Sequence, residues 1–257
     1  MKMSEKWRLI DMRVEDAYTQ MGIDESIAYA RRMGETPNTV RLYRWNPSAV
    51  SVGYFQSMRD EVDLESCRRL GVDVIRRITG GGAVFHDYDG EITYSLIAPD
   101  DDPKIPKDIV SSYRLICGCL IRGLRALGLE AEFKPINDIV SGGRKISGNA
   151  QTRRYGAVLQ HGTVLVDCDV KKIFTVLKVS DTKISDKMIK AAEERVTSIR
   201  RELGRDVSFD EVRRALVTGF EETLDVRLEP GELTPYEEGL MEKFRERYRS
   251  HDWIFRR

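Results

Sequence analysis

The residues of this chain that could do chemistry fall in a few short stretches. The first, RRITGGGAVFHD at 76–87, sets two arginines before three glycines. Residues without a Cβ can take positive φ and let backbone N–H groups crowd an anion. Arg76 and Arg77 would add fixed positive charge for a phosphate or carboxylate. No Lys-Ser or Lys-Thr follows the glycines and AVFHD reads as a strand, so neither a phosphate loop nor a dinucleotide fingerprint applies. On its own the stretch fits a glycine-rich hairpin with two solvated arginines equally well.

The second stretch is SGGRKISGNAQ at 141–151. Strand alternation would put Lys145, Ser147 and Asn149 on one face and Ile146 on the other. A lysine among small polar residues is well placed to meet a phosphate, although a lone strand lysine is usually solvent decoration. Just upstream, Asn137 and Asp138 of PINDIV offer an amide and a carboxylate. They could orient a nucleotide and hold magnesium, or form an ordinary turn. Two histidines, His86 and His161, have no Ser or Cys at motif spacing, so no catalytic triad is proposed.

These residues need elements to carry them. Residues 16–33 show helical spacing and stop at Gly34. TVRLYRW and AVSVGYFQ, parted by Asn46 and Pro47, predict a hairpin or an adjacent strand pair. Residues 61–70 predict a helix, and VDVIRR, AVFHD and EITYSLIA predict strands around the glycines. Residues 104–127 form the clearest amphipathic pattern, ended by Gly128. From 137 to 167 the period shifts to two, and residues 188–203, 209–224 and 236–248 return to helix. The order implies an α+β fold with a mixed, largely antiparallel sheet flanked by helices, built as a single domain over 1–257.

Bulk composition narrows the function classes. Lys and Arg total 42 against 42 Asp and Glu, so there is none of the basic bias of a dedicated nucleic-acid binder. No apolar run is long enough to cross a bilayer and the N-terminus lacks an export signal, so a cytoplasmic protein is expected. The four cysteines, Cys67, Cys117, Cys119 and Cys168, form no metal-spaced set and are expected to be reduced, mostly buried thiols.

Taken together, RRITGGGAVFHD, NDIV, GRKISGNAQ and HGTVLVD, in that order, resemble the lipoate-protein ligase family. RVTSIR at 195–200 and DWIF at 252–255 also resemble it, so the likeness spans nearly the whole chain. The resemblance implies the fold shared by biotin and lipoate ligases and class II aminoacyl-tRNA synthetases. It implies that lipoate is activated by ATP to lipoyl-AMP and then transferred to a lysine of an acceptor. Lys145 would be the catalytic cation between lipoyl carbonyl and α-phosphate. Arg77, Gly82, Ala83, Val84, Phe85, Asn137 and Asp138 would join it around the adenylate, with Asp138 on Mg2+. Gly81, His86 and His161 would lie with Lys145 against lipoate. The implied acceptors are lipoyl domains of 2-oxoacid dehydrogenases or the glycine-cleavage carrier protein.

Biotin ligases carry G-R-G-R-x-x-R-G in place of the triple glycine, which is absent here. Octanoyl transferases of the superfamily use a cysteine nucleophile. In one branch it lies just before the equivalent lysine, where LEAEFKPIND has none; in the other it follows the H-G strand, where Cys168 is the only neighbour. The chain ends just after DWIF, so the C-terminal accessory domain of single-chain ligases is expected to be a separate accessory protein, as in archaeal members of split type. An octanoyl or lipoyl transferase, or a non-catalytic lipoate binder, are the alternative readings.

Overall fold

The computed structural model describes residues 5–178 and 186–256; the N-terminal MKMS of the stretch read for export lies outside them. The chain opens with β1 (Glu5–Glu15), α1 (Ala17–Arg32), β2 (Thr39–Trp45) and β3 (Ala49–Val52). Next come α2 (Met58–Glu61), α3 (Leu64–Leu70), β4 (Asp73–Arg76), β5 (Val84–His86), β6 (Glu91–Pro99) and α4 (Ile109–Ala126). The strands β7 (Ala131–Lys134), β8 (Asp138–Ser141), β9 (Arg144–Arg154) and β10 (Ala157–Leu165) follow. Then come α5 (Val170–Val176), α6 (Asp186–Glu193), α7 (Ile199–Leu203), α8 (Phe209–Leu224), β11 (Val226–Pro230), α9 (Pro235–Arg249) and α10 (His251–Ile254).

Eight strands form one sheet in the order β11-β1-β2-β6-β10-β9-β8-β7. It is antiparallel except where β1 runs parallel to β11 and β2. Alternation along the central strands sorts the two faces. Val40, Leu42, Tyr94, Leu96 and Val158 point to α4 and α8, where Ile116, Leu120, Leu216 and Phe220 complete the larger core. Tyr43, Trp45, Ile97 and Leu159 point the other way, to Met21, Ile27, Met241 and Tyr248 of α1 and α9. The result is the expected mixed sheet flanked by helices. Among the described residues, no helix is long and apolar enough to cross a membrane.

The sequence reading of β2 and β3 as a hairpin or strand pair does not hold. β3 leaves the large sheet and centres a second one, β4-β3-β5, parallel to β4 and antiparallel to β5. Its side chains are needed there: Val50 and Val52 fill a third apolar cluster with Met58, Val62 and Cys67. This small sheet carries the glycine segment and presents it to the large one. The helix expected over 104–127 begins at Ile109, where Asp108 caps it by accepting from the Ser111 N–H. The helix expected over 61–70 begins after Asp63, which caps α3 in the same way. The one expected over 188–203 is broken between α6 and α7 by residues that pair beside β9.

Candidate active site

A cavity of about 150 Å³ opens between the two sheets. The glycine segment gives one wall through Arg77, Gly81, Gly82, Ala83, Val84 and His86. Asn137, Lys145, Gly148, Asn149 and Ala150 give another, and His161 comes from β10. Chain segments as distant as those of Arg77, Lys145 and His161 are thus drawn onto one space. Phe85 does not line it; its backbone pairs with Val50 in the small sheet and its ring packs on the core beneath.

The adjacent arginines part company. Arg76 is fully buried and donates to the carbonyls of Gly53, Tyr54, Gln56, Trp253, Ile254 and Arg256. It staples the DWIF segment to the loop after β3, so it supplies no charge to the cavity. Arg77 points into the wall. Its Nη1 donates to Ser51 O at 2.9 Å and Ser51 Oγ at 2.7 Å, and its Nη2 to Gly80 O at 2.9 Å and Gly82 O at 2.8 Å. Nε donates to Thr79 Oγ1 at 3.3 Å. Every acceptor is neutral, and among the described residues no carboxylate forms an ion pair with it. Burial pushes its pKa down to about 10, which leaves it charged at neutral pH. With its five N–H groups engaged, this buried cation without a counter-ion can act on an anion through its charge and through the loop it holds.

Arg77 also orients the loop. In a trans peptide the C=O and N–H point opposite ways. With Gly80 O and Gly82 O turned onto Arg77, the N–H groups of Gly81 and Ala83 face away from it. Among the described residues the N–H groups of Gly80, Gly81 and Gly82 find no acceptor in the chain, as an anion cradle requires. Gly81 takes φ 93°. Behind it, a Cβ on Gly53 would sit 2.1 Å from Gly81 O, so only glycine lets the two backbones meet.

Lys145 reaches the same cavity from β9. Its Nζ pairs with Asp138 Oδ1 at 2.7 Å, with side chains 43% and 31% exposed. The simple alternation expected from sequence is broken. Ile139 pairs with Ser147 but Val140 with Lys145, so Ile146 is an extra residue that enters the main core. After this bulge Gly148 and Asn149 line the cavity, while Ser147 does not. A Cβ on Gly148 would lie 2.8 Å from Lys145 Cε, so the lysine chain lies across a bare backbone. Lys145 N–H donates to Arg195 O and its carbonyl accepts from Thr197 N–H, both at 2.8 Å. The RVTSIR run therefore clamps the lysine's backbone. Asn137 and Asn149 pin each other: each side-chain amide donates to the other's carbonyl.

His86 and His161 both line the cavity, and both ring nitrogens of each are already engaged. His161 Nδ1 meets Asp24 Oδ2 at 3.0 Å and its Nε2 meets Thr79 Oγ1 at 2.8 Å. His86 Nδ1 meets Glu91 Oε1 at 2.7 Å and its Nε2 meets Ser51 Oγ at 2.8 Å. What the two rings offer the cavity is therefore ring surface rather than a free nitrogen, and one face of His86 is already stacked on Trp45. Burial lowers the His161 pKa below the usual imidazole value. Burial would raise Asp24, but Arg41 and the bonds from His161 and Ser95 outweigh it and hold the carboxyl below its usual range. Sequence reasoning did not find Asp24, Ser51, Thr79 or Glu91, whose partners in this network lie up to 137 residues away.

No cysteine lines the cavity. Cys117 and Cys119 are buried in the main core and Cys67 in the third cluster. Cys168 lies in a separate cleft with Asp87, Asp89, Asp167 and Asp169. Burial, aided by Asp167, Asp169 and Asp87, pushes its thiol up to about 11; burial pushes Cys67 to about 11 and Cys117 to about 12.

Asp138 fits a magnesium ion that arrives with a nucleotide, since Mg2+ takes one or two protein carboxylates and fills the rest with phosphates and water. No group of three His, Cys, Asp or Glu among the described residues could hold a metal alone.

The fold is an α+β one in which a second, smaller sheet lays a glycine loop and a buried arginine over the cavity. The profile of the lipoyl protein ligase A/B catalytic domain matches residues 16–221, and the chain belongs to that family. Octanoyltransferase LipM of Kyrpidia tusciae is 38% identical, the match covering 98% of this chain and 99% of that protein. The one from Clostridioides difficile is 34% identical over 96% and 98%. Among solved structures, a bi-partite lipoate protein ligase from Thermoplasma acidophilum, described with its E2 lipoyl domain, superposes with a TM-score of 0.88 at 35% identity. That match covers 98% of this chain and 96% of the other. A lipoate-protein ligase A bound with ATP gives 0.83 at 32% identity, covering 98% and 99%. The chain is thus an enzyme of the lipoate ligase and transferase superfamily.

Proposed function

We propose that this chain activates a lipoyl or octanoyl carboxylate with ATP and passes the acyl group to a lysine of an acceptor lipoyl domain. One observation carries the reading: the cavity holds two cations, Arg77 and Lys145, and no thiol. In the first step the acyl carboxylate oxygen attacks the α-phosphorus and pyrophosphate leaves. Both reactants are anions, so the site must supply positive charge and N–H donors. Arg77 and the glycine N–H groups would fix the anion, and Lys145 would move off Asp138 onto the charge that develops. In the second step the acceptor amine attacks the acyl carbonyl, AMP leaves, and the amine loses a proton. Asp138 and Asn137 would face the nucleotide, and Asp138 would hold a Mg2+ ion whose charge would offset that of the phosphates. Gly81, His86 and His161 would lie against the acyl chain. The likeness to a bi-partite ligase supports a lipoyl-domain acceptor and a separate accessory protein as partners.

A second reading, transfer of an octanoyl group from a thioester, is favoured by the full-length likeness to relatives named octanoyltransferase. The four thiols are poorly placed for it. Pyrophosphate exchange into ATP, driven by lipoate or octanoate, separates the two. Exchange supports the ligase. No exchange, with or without an accessory protein, together with ATP-free transfer from an octanoyl thioester that Cys168→Ala abolishes, would replace it by the transferase.

A further inference from the structure

Arg77 is held by two side-chain hydroxyls, Ser51 and Thr79, and each hydroxyl is backed by an imidazole and a carboxylate. One relay runs Thr79–His161–Asp24 and the other Ser51–His86–Glu91. They come from five different strands or loops and from α1, and they meet only on the guanidinium.

Proton counting fixes the direction of both. Guanidinium nitrogens only donate. Ser51 Oγ and Thr79 Oγ1 therefore accept from Arg77, and each has one hydrogen left to give. The remaining neighbour of each is an imidazole Nε2 at 2.8 Å. The carboxylate behind each ring only accepts when ionised, so the Nδ1 facing it carries the ring proton, and in the neutral ring Nε2 accepts the hydroxyl hydrogen. Further bonds hold the carboxylates. Asp24 accepts from Arg41, from Ser95 at 2.7 Å and from Tyr43 at 3.3 Å. Glu91 accepts from Thr93 at 2.8 Å, and His86 stacks on Trp45 with ring centroids 4.2 Å apart.

We propose that Ser51 and Thr79, backed by His86–Glu91 and His161–Asp24, are positioning residues that fix the Arg77 guanidinium for the substrate anion. The hydroxyls lock the arginine from one side while the Gly80 and Gly82 carbonyls lock it from the other. A carboxylate placed directly on Arg77 would neutralise it. The relay instead puts a hydroxyl and a ring between the cation and each negative charge, so the arginine, its five N–H groups all engaged by the protein, keeps a net positive charge beside the cavity. His161 and His86 act through the hydroxyls, not as acid or base on the substrate. The proposal rests on the acyl-transfer reading of the cavity but not on whether the donor is ATP or a thioester.

Two measurements test it. The chain has three histidines, so long-range 15N–1H spectra of the unaltered protein resolve each ring. His86 and His161 are expected to carry the proton on Nδ1 at neutral pH; a proton on Nε2 of either overturns that relay, whatever the enzyme's donor. The second is a double-mutant cycle on acyl transfer, using the donor the unaltered chain accepts. Thr79→Val should lower kcat about 10–100-fold, the scale of a misplaced charge, and Thr79→Ser should restore it. In an Arg77→Lys background Thr79→Val should add almost no further loss, because its effect passes through the arginine. Additive losses would overturn the proposal. If Thr79→Val does not fold, Ser51→Ala takes its place in the cycle with the same two outcomes.

Discussion

The two cationic walls of the cavity are built on opposite principles. Arg77 is buried, donates five hydrogen bonds to Ser51, Thr79, Gly80 and Gly82, and is backed through Ser51 and Thr79 by residues of the large sheet and α1. Lys145 is 43% exposed and holds one ion pair, to Asp138. An exposed pair of that kind is worth only about 0–1 kcal/mol and breaks readily. On the proposed function, the difference is a division of labour. A recognition charge gains from being fixed before substrate arrives. A charge that must follow an electron shift gains from a long, loosely held chain on a rigid backbone, and Lys145 has that backbone through Arg195 and Thr197.

The largest expected effect is on activity alone. Lys145→Ala should lower acyl transfer by about 10²–10³-fold, the scale for losing one preorganised donor, with a thermal midpoint close to that of the unaltered chain. A midpoint several degrees lower would show that Lys145 is also structural and would erase the contrast.

Arg77→Met should lower activity and stability together. It strips donors from Ser51, Gly80 and Gly82, and a net loss of about 2 kcal/mol is expected for such orphaned groups. In a chain of this size that is a midpoint shift of about 4–8 °C. Calorimetry beside the activity assay decides it; an unchanged midpoint would mean that Arg77 is no more locked than Lys145.

Gly53→Ala probes the lock without touching a charge. Its Cβ would collide with Gly81 O, so the glycine loop must move. A loss of about 1–3 kcal/mol is expected from the strain, together with a raised KM for the anionic substrate. Unchanged KM would show that the loop's position does not matter.

pH sharpens the comparison on one wall only. His161 titrates below its unfolded value of about 6.5, so the unfolded chain binds a proton that the folded chain refuses. Stability from this group is full above pH of about 6.5 and falls as pH drops toward the folded pKa. Asp24, held below its usual value, adds a loss in the same direction at more acid pH. The thermal midpoint should therefore decline below pH of about 6.5, and His161→Gln should flatten that decline; an equal slope in both would remove His161 as its source. The smallest effect is the last: Cys168→Ala should leave acyl transfer unchanged, measured with either donor. A dead variant would move the chemistry to the cleft of Asp87 and Asp167.

Local pattern carried much of the fold. Apolar residues three and four apart drew α1, α4, α8 and α9, and the period-two stretch after 137 drew β8, β9 and β10. β1 and β11, which pair in parallel across more than 200 residues, have no local signal for their partnership and were not expected. The glycine run, Lys145 and the Asn137–Asp138 pair were legible because they are short and chemically distinct. The roles of adjacent residues were not. Arg76 and Arg77 look alike in sequence, yet successive side chains on a strand face opposite ways. One meets the C-terminal segment and the other the cavity.

What the sequence determined by itself is the family, the α+β order of elements and the residue types that any acyl-handling site of this kind needs. Tertiary structure alone decided which of them meet at the cavity. The bulge leaves Ile146 in the main core and Gly148 rather than Ser147 at the cavity. The departure of β3 into its own sheet placed Ser51 against Arg77 and His86. Hydrogen bonds between residues 82 and 137 positions apart then fixed Thr79, His161 and Asp24 in one line. Such bonds act over about 3 Å of space and carry no trace in spacing along the chain.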